Sequence, residues 1–361
     1  MHILENKLWI ADLEETLSCL PELEALAGNS ILITGCTGLI CSAMTDLLIR
    51  WNLTHDRKIT IFAAGRSEER VLSRFTSVGK EPWFRTMCYD AVAPKSEWLP
   101  SCTYVIHGAG NASPNRISQQ PVETMLGNFL GLKALLDHAL KENAKRLLYV
   151  SSSEVYGRKD GKFPYREDEY GYIDLLNPRN SYSVGKRAAE TLCASYADEY
   201  GVDSVIVRPG HIYGPTASES DNRVSSTWAY TAARGEDIVM KSDGSQLRSY
   251  CYCLDCAAAM LTVLLKGECI HAYNISNPDS VISIRRMAEI LSASAGVHLI
   301  SQLPTEQERK AFNPMSNSSL DAVNLLRLGW CGLFDAERGF SHTVHILRDL
   351  LCSSGKGGAL A

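Results

Sequence analysis

The chain has 361 residues, 45% hydrophobic and 21% charged, with a formal net charge of -5. That length holds one large or two modest domains, the composition excludes wholesale disorder, and the mild acidity gives no electrostatic footing for nucleic acid. No apolar run reaches a membrane span, and the opening MHILENKLWIADLEE lacks the basic-then-apolar order of a secretion signal; a cytoplasmic location without a membrane partner is the expectation.

Residues 1–29 read as an acidic helical leader, with apolar residues at helical spacing in LEETLSCLPELEALAG and a proline interruption. From Ser30 strands and helices alternate: SILITG, a helix through SAMTDLLIRW, ITIFAAG, a segment near TMCYD, TYVIHGAG, the helix PVETMLGNFLGLKALLDHALKE, RLLYVSS, the helix SYSVGKRAAETLCASYADEY, and DSVIVRPG. Short apolar strands separated by amphipathic helices predict an α/β fold, a Rossmann-like doubly wound parallel sheet over residues 30–209. Residues 210–352 are expected to form mainly a smaller C-terminal α/β substrate-binding region, interleaved with the first and laid over the carboxyl ends of the strands. The small-residue ending 353–361 reads as a frayed tail.

Of the twelve cysteines, Cys36, Cys41, Cys88, Cys193 and Cys269 fall in apolar segments, where a free thiol behaves as a small hydrophobe. The cluster CYCLDC, with Cys251, Cys253 and Cys256, has no second pair at zinc spacing. Cys251 and Cys253 are expected to share one face of an alternating strand, and no metal is expected.

Directly after SILIT comes GCTGLIC, placing Gly35 and Gly38 in a turn between strand and helix. Glycine there permits positive φ and lets backbone N–H groups approach a pyrophosphate at the helix N-terminus. The third position of the pattern is Cys41, which bears on helix-to-strand packing more than on phosphate contact. The second strand ends in Gly65, Arg66 and Ser67 where a ribose-binding carboxylate would favour NAD, so these residues lean slightly towards NADP. Asp90 is a candidate acceptor for the adenine amino group, and Ala109 leaves room for the ring.

Tyr182 and Lys186 stand at i and i+4 on a predicted helix and share one face. An ammonium beside a phenol favours the phenolate, so the tyrosine pKa is expected to fall towards the range of a neutral-pH base. Ser152, at a strand end in SSSEVYG, would hydrogen-bond the reacting hydroxyl. Glu154 adds a carboxylate that simple hydride transfer does not need.

The stretches TGCTGLIC, NASP, LGNFLG, SSSEVYG, YSVGK, RPGHIYGP and GSQLRSYCY together resemble the extended short-chain dehydrogenase/reductases, specifically the NAD-dependent epimerase/dehydratase family acting on nucleotide sugars. The likeness runs from Ser30 to Trp330, and SSSEVYG through NPRNSYSVGKRAAET and DNRVSS look most like the UDP-glucuronate decarboxylases. The resemblance implies a nucleoside-diphosphate sugar substrate, a bound NAD(P) that is NAD by family habit, and a homodimer joined through the helices around 120–140 and 181–200. It makes Tyr182 the base at the sugar 4-hydroxyl, Lys186 its partner on the nicotinamide ribose, Ser152 the group positioning the 4-oxygen, and Glu154 with Ser153 the participants after oxidation. It extends the cofactor set through Thr37, Leu39 and Ile40 to Ala91 and Asn128, and the substrate set to Ser113, His211, Arg223 and Arg248, the two arginines clamping the diphosphate. His211 stands where the family often has asparagine, and NPMSNSSLDAVNLL lacks the basic residues that decarboxylases carry nearby. Decarboxylation, 4,6-dehydration and 4-epimerisation all fit, with a net NADP-dependent sugar reductase and a catalytically silent nucleotide-binding protein as alternatives.

Overall fold

The computed structural model describes residues 1–95, 99–159, 164–302, 305 and 316–353; the expected tail lies outside them after its first residue. Strands β1 (Ser30–Thr34), β2 (Thr60–Gly65), β3 (Phe84–Cys88), β4 (Tyr104–His107), β5 (Arg146–Val150) and β6 (Ser204–Pro209) are followed by β7 (His211–Tyr213), β8 (Ile238–Met240), β9 (Leu247–Tyr252) and β10 (Ala272–Ile275). The central sheet runs β3-β2-β1-β4-β5-β6-β10 with every neighbouring pair parallel. The winding direction reverses between β1 and β4, and in such sheets the ligand crevice opens beyond the strand ends at that point.

The helices include α1 (Lys7–Ser18), α2 (Leu39–Thr54), α3 (Glu68–Arg74), α4 (Pro114–Gln119), α5 (Pro121–Glu142), α6 (Ser181–Tyr200), α7 (Val224–Ala233), α8 (Cys253–Lys266) and α9 (Ile284–Ala295), with a C-terminal helix over Ala336–Ser353 on which α7 and α9 pack. Strand β1 explains the layering. Ile31 and Ile33 enter the core that holds Met44 and Leu47 of α2, Leu261 of α8 and Trp9 of α1, whereas Leu32 enters the opposite core with Leu132 and Leu135 of α5 and Ala189 of α6. Burial on both faces is why SILIT reads as a continuous apolar run. The leader forms a further layer: Asn6 caps α1 by accepting from Trp9 N at 3.0 Å, and Trp9 Nε1 donates to Asp46 of α2 at 3.2 Å.

Two expectations change. The strand carrying Cys251 ends at Tyr252, and Cys253 is the first residue of α8, so the two thiols share no strand face; CLDCAAAMLTVLLK is long enough and rich enough in alanine and leucine to continue as a helix. Cys88 and Cys269 are exposed rather than buried in apolar surroundings. The expected interleaving is deep: β10, beyond residue 209, pairs with β6 in the central sheet, and α8 shares the core of α2 on one face of that sheet. No helix among the described residues is long and apolar enough to cross a membrane.

Candidate active site

The glycine turn lies where β1 passes into α2. Gly35 has φ +72°, and a Cβ there would stand 2.7 Å from the Gly108 carbonyl oxygen and 2.8 Å from Ala109 N, so the turns after β1 and β4 meet at the switch point. Gly38 occupies the N-cap of the 16-residue α2 with no side-chain cap. The first-turn N–H groups and the positive end of the helix dipole are thus left to the crevice, which fits a dinucleotide pyrophosphate. Cys41 is accommodated by a glycine elsewhere: a Cβ on Gly108 would come within 2.3 Å of its sulfur.

Around this turn Thr37 is exposed, Ile40 is half-buried, and Leu39 is buried, with its carbonyl accepting from Thr216 Oγ1 at 2.8 Å. Asp90 Oδ1 accepts from Val92 N at 3.0 Å. Ala91 packs on α5, where a Cβ added to Gly131 would lie 2.7 Å from its own Cβ. Asn128 is buried, donating to Thr124 O at 2.8 Å and accepting from Tyr149 Oη at 3.5 Å. Arg66 is exposed at the end of β2, and the Ser67 hydroxyl caps α3 by accepting from Arg70 N at 3.3 Å.

Tyr182 and Lys186 lie on the buried face of α6, 8% and 6% exposed. Lys186 Nζ donates to Val150 O at 2.6 Å and stands 4.7 Å from the Tyr149 ring centroid and 5.7 Å from that of Tyr182. The Ser152 hydroxyl lies near enough to the Tyr182 phenol to favour its phenolate, and Ser152 Oγ accepts from Glu154 N at 3.2 Å. Ser153, half-buried, opens the short helical turn that this bond caps. Glu154 Oε2 accepts from Ser183 Oγ at 3.1 Å, and both its oxygens face the Arg179 guanidinium at 3.4 Å.

The electrostatics reverse one expectation. Burial pushes the Tyr182 phenol up to about 12, with the Glu154 charge adding to it, and only then do the Ser152 hydrogen bond, Arg223 and Arg179 pull it down. Lys186 is itself pushed down to about 7 by burial, against the opposing influence of Glu190 and Cys41. Taking the phenol out of water outweighs the Ser152 hydroxyl and the Arg223 and Arg179 charges that favour the phenolate.

Of the substrate candidates, Arg223 is near enough to Tyr182 to act on its charge. Ser113 Oγ donates to Asn222 Oδ1 at 3.1 Å, tying the connection after β4 to the segment before α7. Arg223, next in sequence, holds Asp221 with Nε at 2.9 Å. Arg248 is buried on β9 and donates to Leu247 O at 2.8 Å. His211, at the start of β7, has Nε2 3.2 Å from Ser318 Oγ. Its ring keeps accessible surface but sits deep in the cleft, where burial, then Arg248 and Arg223, push it down to about 3; it is neutral at working pH. Charge interactions thus link Tyr182 with Glu154, Arg179 and Arg223, and His211 with Arg223 and Arg248, Ser113 reaches Asn222 beside Arg223, and Arg66 and Asp90 stand just after β2 and β3. Sequence reading missed Arg179 and Ser183; both flank Tyr182 closely in NPRNSYS, and that proximity was the available signal.

A parallel sheet of this order, with a glycine turn at its switch point and a Tyr-x-x-x-Lys pair beside a serine-bearing strand end, defines an enzyme of the short-chain dehydrogenase/reductase type. The chain belongs to the NAD dependent epimerase/dehydratase family, whose profile matches residues 31–276. It is 29% identical to UDP-glucuronic acid decarboxylase 1 of Xenopus tropicalis over 88% of this chain and 72% of that protein. It is 28% identical to UDP-glucuronic acid decarboxylase 5 of Arabidopsis thaliana over 78% of this chain and 80% of that protein. Among solved structures, an epimerase of Methanothermobacter thermautotrophicus superposes with a TM-score of 0.78 at 19% identity, covering 94% of this chain and 97% of that one, a likeness of fold.

Proposed function

We propose that the protein oxidises a UDP-linked uronic acid at C4, decarboxylates the 4-keto sugar and reduces it again at C4 before release. The carrying observation is the convergence of the Tyr182 phenol, Ser152 and a Glu154 carboxylate bracketed by Arg179 and Ser183. Bound NAD supplies a hydride acceptor and donor and a positive charge. Ser152 hydrogen-bonds the C4 oxygen and Tyr182 Oη takes its proton. Once C4 is a carbonyl, the carboxylate on C5 is that of a β-keto acid: the bond between C5 and the carboxyl carbon breaks, carbon dioxide leaves, and its electron pair passes into the C4 oxygen. Ser152 and Tyr182 donate to that oxygen as it gains charge. Glu154 is the group proposed to deliver the proton to C5, and Arg179 would offer a planar cation to the substrate carboxylate. The decarboxylases among the similar proteins support this choice of substrate.

Dehydration is the second reading, favoured by Glu154 as a base at C5. Offering UDP-glucuronate, UDP-glucose and dTDP-glucose to the purified protein and weighing the products separates them. Loss of carbon dioxide from UDP-glucuronate is expected; loss of water from a neutral sugar, with UDP-glucuronate untouched, overturns the proposal.

NAD rather than NADP is the cofactor we infer, because Ser67 is engaged as a helix cap and Arg66 alone remains for a 2′-phosphate. We also infer a homodimer through α5 and α6: Val122, Met125, Leu126 and Phe129 recur at helical spacing on α5 and are 63%, 40%, 40% and 37% exposed, an apolar stripe of the kind that marks association surfaces.

A further inference from the structure

We infer that the buried pair Glu190–Arg208 is a positioning device for the proton-transfer groups, fixing α6 against the ends of β5 and β6 and with it the placing of Tyr182 and Lys186 relative to Ser152. The inference rests on the reading of Tyr182 and Lys186 given above.

Glu190 follows Lys186 by one helical turn and Tyr182 by two, on the same face of α6. Its Oε1 accepts from Ser151 Oγ at 2.5 Å and from Arg208 Nε at 3.0 Å, and its Oε2 from Arg208 Nη2 at 2.7 Å. Arg208, on β6 and 2% exposed, also donates to Tyr156 Oη at 3.1 Å, Glu167 O at 2.8 Å and Tyr170 Oη at 3.0 Å, so all five guanidinium N–H donors are used. The Tyr156 hydroxyl donates to Asn274 Oδ1 at 2.5 Å, and Asn274 Nδ2 donates to Tyr165 O at 3.0 Å and Asp321 O at 2.9 Å. A continuous chain of bonds therefore runs from Ser151, the neighbour of Ser152, across α6 and β6 to β10 and the substrate region.

Stability does not explain this network, because well-packed apolar residues in place of a buried ion pair are often neutral or stabilising. Direction explains it: a two-pronged guanidinium–carboxylate contact holds two elements in one register. The groups acting on Lys186 come from four elements: Tyr182 and Glu190 on α6, Tyr149 and Val150 on β5, Cys41 on α2 and His107 on β4. Of these the Glu190 carboxylate, and after it Cys41, favour the ammonium form.

The test compares Glu190→Gln, which keeps shape and removes charge, with Ser151→Ala, which cuts one bond of the network and leaves the ion pair. Folding is verified by circular dichroism and bound-nucleotide content. Glu190→Gln is expected to lower kcat by roughly 10- to 100-fold with KM for the nucleotide sugar within about twofold, and Ser151→Ala to lower kcat by roughly 3- to 10-fold. In Glu190→Gln the acid limb of the kcat profile should also move to lower pH, by the same factor by which its plateau falls, a linkage that loss of packing alone would not produce. Folded variants with wild-type kcat and an unmoved limb overturn the inference; if Glu190→Gln fails to fold, Ser151→Ala decides alone. Tyr182→Phe is assayed beside them: if it is inactive while both network variants are fully active, the positioning inference alone falls, and if it is active the reading of the site falls first.

Discussion

Replacing Tyr182 by phenylalanine should lower turnover by roughly 10²- to 10⁴-fold and leave folding and nucleotide content unchanged. The ring is buried on α6 and the hydroxyl meets Ser152, so phenylalanine keeps the packed volume and removes only the proton-transfer atom. KM should change little, because Arg223 and Arg248, the residues that the family resemblance assigns to the substrate diphosphate, are untouched. The wild-type pH profile gives a second check. The reactive pairing of phenolate and ammonium is a minor protonation state when the amine titrates at about 7 and the phenol at about 12. Below the lower value each unit of pH raises the phenolate fraction while the amine stays charged; above it, the gain in phenolate is cancelled by loss of ammonium. Turnover should therefore rise with pH to near neutrality and then level off, the two values belonging to the coupled pair. Phenylalanine retaining more than about a tenth of wild-type kcat would contradict a role worth at least a hundredfold.

Lys186→Met should abolish most activity and yet stabilise the protein near neutral pH. Burial holds this amine at about 7 in the folded chain, against 10.5 for an ordinary lysine in water. Between those values the unfolded chain binds more protons than the folded one, so wild-type stability rises with pH through that window. Below about pH 7 the folded protein carries the full cost of a buried ammonium; above about pH 10.5 it carries none. Methionine has similar length and no charge, and gives up only the donation to Val150 O. The melting temperature of the variant should thus exceed that of wild type by a few degrees at about pH 6.5, with the difference vanishing near pH 10. Thermal melts at the two pH values measure this, and a variant less stable at the lower pH, or with a shift independent of pH, refutes it.

The framework was legible because it rests on local patterns. Strands such as SILIT and RLLYV, buried on both faces, show as short apolar runs, and α5 and α6 were read with their final boundaries because Pro121 opens one and Gly201, at φ +71°, closes the other. The i, i+4 spacing of Tyr182 and Lys186 gave their shared face, since helical periodicity alone decides it. What stayed hidden depends on distance in space. Spacing shows that an amine is near a phenol but not that both are buried, so the direction of the Tyr182 shift was reversed. The clasp of Arg179 and Ser183 on Glu154 requires a turn 25 residues downstream to fold back over the end of β5. The room for Cys41 comes from Gly108, on a different strand end. Cys253 was assigned to a strand because a short alternating run cannot be told from the first turn of an apolar helix.

The central claim is that hydride leaves C4 of the sugar and returns to it within one visit to the cleft. UDP-glucuronate carrying deuterium at C4 tests it most directly, with the product examined by mass and proton resonance. Deuterium retained at C4 of a decarboxylated product, a solvent hydrogen gained at C5 and a transient absorbance of reduced nicotinamide during turnover are the expected results; deuterium lost to solvent from C4, or carbon dioxide released with no reduced nicotinamide formed and no slowing by the deuterium, would contradict it.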